Sequence, residues 1–238
     1  SKMSSIDAEI ADINHELAML PSDAANWDVQ LLVARRTELE EQRKKLVKNL
    51  TSTSTEYKQF DPRWGAIRYG LSANCTNIQA AGCGPTSLAI VLNYLYQEDP
   101  ESLAASGQME IVTPPQTAEY ASTHGRVCNS GTAGDTMVTH VHTGWPGFRG
   151  QRVSLEAATS QLRNGNLVIF LCKNCTGLKS QGGTKTYGGH FMVLNGVSAD
   201  GQTYNVLDPG AGETNDIETI SRTELQTHTN GFWIIERI

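Results

Sequence analysis

The stretch Asn77-Ile78-Gln79-Ala80-Ala81-Gly82-Cys83-Gly84-Pro85-Thr86-Ser87-Leu88 decides how the rest of the chain is read. Cys83 lies between two glycines and Pro85 follows at once. Proline suits the first turn of a helix, where its missing N–H costs nothing. Beyond it Leu88, Val91, Leu92 and Leu95 recur at the spacing of one buried helical face. The pattern therefore predicts Cys83 at the N-terminus of a helix packed into a core. Such a terminus carries partial positive charge and unpaired N–H donors. Both favour the thiolate, which is the nucleophilic form of cysteine. The flanking glycines allow a tight turn and close approach of a substrate carbonyl to the backbone. A buried, inert cysteine beside a helix cap is the ordinary alternative. A histidine and an aspartate downstream favour the reactive reading.

A thiol nucleophile needs a base beside it and a third group to orient the base. The base expected is His190, in Gly188-Gly189-His190-Phe191-Met192-Val193-Leu194, at the start of a strand. The orienting group expected is Asp208, ending Tyr204-Asn205-Val206-Leu207-Asp208-Pro209-Gly210. Cross-strand partners share a face, and even offsets along a strand preserve it. A two-residue turn at Asp200-Gly201 would set Asp208 opposite Val193, on the wrong face for His190. A three-residue Ala199-Asp200-Gly201 loop with positive φ at Gly201, or a bulge of equal parity, sets it opposite Met192. That diagonal, about 7–8 Å between backbones, is within side-chain reach.

The totals exclude other classes. A chain of 238 residues fits one large domain or one domain with an appendage. Its composition, 39% hydrophobic and 18% charged, is that of a globular protein. A net charge of −6 argues against nucleic-acid binding, whose footprint is basic. No apolar run approaches the roughly 18 residues of a transmembrane span. Five cysteines leave an odd one if the others pair.

Residues 1–50 differ from the rest. Glycine is absent before Gly65 and charge is dense. Ile6, Ile10, Ile13, Leu17 and Leu20 alternate spacings of four and three, and Leu32, Leu39 and Leu46 recur every seven. The expectation is a helical hairpin or coiled coil turning near Pro21–Ala25. It is too short to stand alone, so it docks on a protein partner or on the rest of the chain. Thr51-Ser52-Thr53-Ser54-Thr55 opens a polar linker over 51–56, and the globular domain spans 57–238. There, helices are expected near 102–106, 116–124 and 155–162, and strands at 167–171, 191–196, 202–207 and 232–235. Gly131–Gly150 reads as loop with short elements. Helices first and strands later give an α+β class.

Two further groups were weighed. Cys172-Lys173-Asn174-Cys175, with Cys75 and Cys128, suggests disulfides or free thiols more than zinc, since a second CxxC is missing. His140 and His142 would share a strand face, as metal ligands do, but read better as solvated histidines.

The residues Tyr57, Gln59, Asp61 and Trp64, the block Gly82–Leu88, the block Gly189–Leu194 and Asp208-Pro209 together resemble the papain-like cysteine peptidases related to the double-glycine (bacteriocin-leader) peptidases. Thr113-Pro114, Gly125 and Gly131-Thr132 add to the likeness, which covers roughly 56–238. The resemblance implies a papain-like fold, no metal or cofactor, and a Cys83–His190–Asp208 triad. Transporter-linked relatives place an oxyanion-donating glutamine six residues before the cysteine. Here that position is Asn77, and Gln79 lies four before, so one of these two is expected to serve with the Cys83 backbone N–H. The expected activity is hydrolysis of peptide or isopeptide bonds, on cell-wall peptides or a processed polypeptide. A papain-like binding module with little turnover is the alternative. The resemblance also implies a secreted or cell-surface, bacterial-type protein.

Overall fold

The structure is a computed structural model that describes residues 2–21, 26–53, 57–98, 112–180, 183–210 and 217–238. It divides into two compact units, Ser1–Thr53 and Ser54–Ile238. The expected helix at 102–106 and turn at 22–25 lie outside the described residues.

The first unit holds helix α1 (Lys2–Met19) and helix α2 (Asn26–Thr53). Ile6, Ile13 and Leu39 are buried between them, with Ile10, Leu17 and Leu32 packed alongside. Arg35 donates to Glu9 at 2.8 Å and to Glu38 at 3.0 Å, and Arg36 donates to Asn14 at 3.2 Å. These pairs are exposed, and exposed ion pairs stabilise by at most about 1 kcal/mol each, so the apolar seam dominates. Helix α2 runs to Thr53, into the stretch expected to be linker, because nothing in Thr51-Ser52-Thr53 breaks a helix already formed.

In the second unit a short helix α3 (Ile78–Ala81) leads through Gly82 into helix α4 (Cys83–Glu98). Leu88, Val91, Leu92 and Leu95 are buried as expected, but so are Ala89, Ile90 and Tyr94. A helix buried on all sides belongs to the middle of a core rather than its surface. The helix Pro114–Thr123 starts at Thr113, with Gln116 completing a capping box.

The sheet has six antiparallel strands in the order β3-β8-β4-β5-β6-β7. They are β3 (Phe148–Val153), β4 (Val168–Ser180), β5 (Gly183–Val197), β6 (Thr203–Leu207), β7 (Ile217–Ser221) and β8 (Thr229–Arg237). A separate pair, β1 (Arg126–Val127) with β2 (Gly131–Thr132), lies before them. One sheet face packs on the helices Leu155–Arg163 and Arg222–His228 through Val168, Phe170, Met192, Leu194, Val206 and Phe232. The fold class is α+β.

Several elements differ from expectation. β4 and β5 extend well beyond the apolar runs that announced them, so His190 and Cys172 lie inside strands rather than at their ends. The polar extension is held by cross-strand pairing, not by side-chain pattern. β3, β7 and the helix Arg222–His228 were not expected, since none carries an apolar period. The Gly131–Gly150 loop, by contrast, holds short elements as expected: the helix Gly134–Thr139 and a 3-10 turn at Val141–Thr143. His140 precedes that turn and His142 lies within it, with ring centroids 6.4 Å apart, instead of sharing a strand face.

Candidate active site

Cys83 heads α4 because the chain before it is already turned into place. Asn77 caps α3, its Oδ1 accepting from Ala80 N at 3.0 Å. Gly82 makes the joint: a Cβ there would lie 2.5 Å from the Ile78 carbonyl oxygen, so no other residue fits. Gly84 is covered by Thr132 and Phe191, 3.3 and 3.4 Å from where a Cβ would be. Cys83 is half-buried and, among the described residues, is the one cysteine outside a disulfide.

His190 stands across from it on β5, one residue before Phe191. Its Nε2 bonds Asp208 Oδ1 at 2.7 Å. The other ring nitrogen is thus left for the Cys83 thiol, with which the ring shares a hydrogen bond. Asp208 is buried and fully engaged: Gly210 N donates to Oδ1 at 2.9 Å and the Tyr187 hydroxyl to Oδ2 at 2.8 Å. The Tyr187 ring stacks on the imidazole, centroids 4.0 Å apart. Two residues three apart normally face opposite sides of a strand. Here the alternation breaks at Gly188-Gly189, opposite the stretch where Asn174 takes φ +56°. Gly210 closes the site from another side: a Cβ there would lie 2.2 Å from His190 Cε1.

The segment opening the second unit fastens the aspartate. Lys58 Nζ donates to the Asp208 carbonyl at 2.8 Å, and Gln59 N to the Pro209 carbonyl at 2.9 Å. Trp64 Nε1 holds the Lys58 carbonyl at 2.8 Å.

The charges follow from this packing. Burial pushes the Cys83 thiol up, but the His190 ring and the N–H groups of Phe191 and Gly84 outweigh it, and the thiol falls below its ordinary value. Burial pushes His190 down, yet Asp208 and Cys83 together carry it up to about 9. Burial pushes Asp208 up, and the His190 bond with those from Gly210 and Tyr187 bring it down to about 2. A thiolate facing an imidazolium is the state these directions favour, and the two protons belong to the pair jointly.

Of the two routes expected, His190 reaches Asp208 by the bulge and not by the three-residue loop. Ser198 N pairs with the Thr203 carbonyl at 2.8 Å, leaving four residues in the turn, with Gly201 at φ +71°. Val197 faces Tyr204 and Gly196 faces Asn205; the register then shifts across Asn195, so that Leu194 faces Val206 and Val193 faces Leu207. Asp208, the next residue, falls beside Met192, two from His190. The parity is the one required, and the extra residue Asn195 supplies it.

A cleft of about 460 Å³ opens beside Cys83, walled by Ser130–Asp135, Leu171–Lys173, Gly188-Gly189, Arg152 and Trp233. Neither Asn77 nor Gln79 lines it. Gln79 is exposed, and its carbonyl accepts from Gln59 Nε2 at 2.7 Å. The other four cysteines are joined as Cys75–Cys128 and Cys172–Cys175. Cys172 and Cys175 are the cross-strand partners of His190 and Tyr187. Among the described residues no group of three or more His, Cys, Asp or Glu could hold a metal ion.

Four contributors escaped the sequence reading. Gly210 was read only as the end of a strand, although the run Asp208-Pro209-Gly210 marks a turn folding back on its own aspartate. Tyr187 carried no signal, because its role depends on a broken strand alternation. Tyr69 is fully buried, pushed up to about 12 by that burial, and bonds Thr132 Oγ1 at 2.7 Å on the cleft wall. Arg126 lies over the Tyr69 ring at 4.5 Å and donates to the carbonyls of Tyr69 and Gly131, tying two distant segments together.

Comparison with known proteins gives the family of the chain. The model of the Peptidase_C39 like family matches residues 54–234. A solved structure from Bacillus anthracis, described as a C39-like peptidase, is 13% identical, with a TM-score of 0.44 over 79% of this chain and 96% of that one. No curated protein matches the chain. A thiol, an imidazole and a carboxylate aligned at a helix terminus, within a match spanning most of the sequence, place this chain in the Peptidase_C39-like family of cysteine peptidases.

Proposed function

We propose that the protein hydrolyses peptide or isopeptide bonds through a thioester on Cys83. The observation carrying this reading is the buried Asp208–His190 bond, with its imidazole turned to the half-buried Cys83. The thiolate attacks the substrate carbonyl carbon. The His190 imidazolium then gives its proton to the leaving nitrogen as that C–N bond breaks. The neutral imidazole next takes a proton from water, whose oxygen attacks the thioester; the acid product leaves and the thiolate–imidazolium pair is restored. Asp208, held low by its three donors, keeps the ring oriented and its Nε2 protonated throughout.

The developing oxyanion is served by the Cys83 N–H at the head of α4 and by a side-chain amide. Neither of the two amides expected there lines the cleft, and of the two Asn77 is the one whose side chain is held in place. Its Oδ1 is fixed by Ala80, so the amide plane is set, with Nδ2 as the donating end.

Cell-wall peptides or a processed polypeptide, met outside the cell or at its surface, are the substrates we favour. Two disulfides support an oxidising compartment. Residues 1–50 form a helical appendage, ahead of a short linker and the peptidase domain, that docks on a protein partner. Incubation with a mixture of peptides and wall fragments tests the activity. New amino termini released by the native chain, and not by Cys83→Ala, are expected. No release by either would leave a binding module.

A further inference from the structure

The cleft beside Cys83 has an uneven charge. Asp135, Arg152 and Lys173 are the side chains of formal charge on its walls. Both oxygens of Asp135 are occupied, Oδ1 by Trp233 Nε1 at 2.8 Å and Oδ2 by Arg152 Nη1 at 3.0 Å. Arg152 also donates to the Asn230 carbonyl and lies over the Trp233 ring at 5.6 Å. These two charges therefore offset one another within a fixed cluster. Lys173 has no such counter-charge: among the described residues it makes no ion pair, and it is exposed. Its Cα lies opposite Gly189, the neighbour of His190. A chain of net charge −6 thus presents, beside its nucleophile, a cation with no ion-pair partner among the described residues.

The walls leave room for a group to meet that cation. A Cβ built on Gly131, Gly188 or Gly189 would touch nothing within 4 Å. Of the aromatic side chains on the walls, Trp233 and Phe191 are each only 2% exposed. Resting on the peptidase reading of this site, we propose that the cleft selects substrates carrying a carboxylate next to the scissile bond, with Lys173 as its specificity-determining residue. The carboxylate comes from an aspartate or glutamate side chain or from a chain terminus.

The alkylation of Cys83 reports this field without requiring turnover. Iodoacetate and iodoacetamide differ in bearing a carboxylate or a neutral amide. The ratio of their rate constants at Cys83 is expected to fall about threefold in Lys173→Gln and about tenfold in Lys173→Glu at low ionic strength. It should converge on one value in high salt, which screens exposed charges. Lys173 is exposed, so both variants should keep the native unfolding midpoint. Equal ratios in all three chains would overturn the proposal. Protection of Cys83 from iodoacetamide identifies the source. Acetyl-Gly-Glu-amide protecting where acetyl-Gly-Gln-amide does not assigns the side chain. Acetyl-Gly-Gln with a free terminus protecting alone assigns the terminus, and protection by none of them overturns the proposal. A charge-dependent ratio without peptide hydrolysis would defeat only the peptidase reading, and hydrolysis with a flat ratio would defeat only this one.

Discussion

The two sides of the site are built differently. The Cys83 side is local: a cap at Asn77, a glycine joint at Gly82 and the first turn of α4 all lie between Asn77 and Thr86. The His190 side is assembled from afar. It needs the Asn195 bulge, the Tyr187 ring, the Gly210 backbone and the clamp of Lys58 and Gln59 on Asp208-Pro209. A helix terminus is a property of a segment, whereas the meeting of two strand side chains is a property of register. The nucleophile is therefore difficult to misplace, and the base is easily lost.

Removing the nucleophile gives the largest effect expected. Cys83→Ala should reduce turnover by at least about a thousandfold, as loss of a covalent nucleophile does, with little change in unfolding midpoint because the site is half-buried. Residual cleavage within tenfold of native would place the chemistry elsewhere.

A smaller defect should break the distant side alone. Gly210→Ala drives a methyl into the His190 ring, and overpacking of this kind costs about 1–3 kcal/mol. Alkylation of Cys83 at pH 7 should slow by about tenfold as the displaced ring ceases to hold the thiolate. A native rate would show that the imidazole tolerates displacement.

The pH profile sharpens the contrast. His190 is raised to about 9, so its stabilising contribution is complete below its ordinary value near 6.5 and is lost as pH rises through 9. Asp208 is lowered to about 2, so its contribution is present above 3.8 and is lost as pH falls through 2. Cys83 is lowered, so its contribution is present above 9.0 and disappears as pH falls through the folded value. Turnover should accordingly hold at neutral pH and decline near 9. In Asp208→Asn that alkaline limb should move down by about 1–2 units, the usual effect of losing a paired charge. An unmoved limb would mean Asp208 does not act on the base.

The smallest effect is expected at the turn. Gly201→Val forces a β-branched residue to φ +71° and should cost about 1–2 kcal/mol in a denaturation midpoint. Alkylation of Cys83 should stay within twofold, since the bulge at Asn195, not the turn, sets the parity. A large loss of reactivity would return control of the register to the turn.

The site was partly legible before any coordinates. The proline, the two glycines and the leucine period around Cys83 are signals within one turn or two of each other, and the helix forms as they require. The apolar core of β5 and the turn at Asp200-Gly201 were equally readable. The ends of β4 and β5 were not, because their outer halves are polar and exist through pairing with one another. The turn length was missed for a related reason: several loops satisfy Asp200-Gly201, and only the hydrogen bond from Ser198 to Thr203 distinguishes them.

Sequence alone determined which residue could become the nucleophile, since periodicity and helix-breaking residues act over a few positions and are written in order. It also limited the connections that let His190 and Asp208 share a face, since strand parity is arithmetic. Tertiary structure alone decided how they share it, through one bulged residue. It likewise decided that Tyr187 and Gly210 hold the ring, that Asp135 pairs with Arg152, and that Lys173 makes no ion pair among the described residues. Those outcomes depend on which side chains far apart in the chain come together in space, and no local pattern encodes such a meeting.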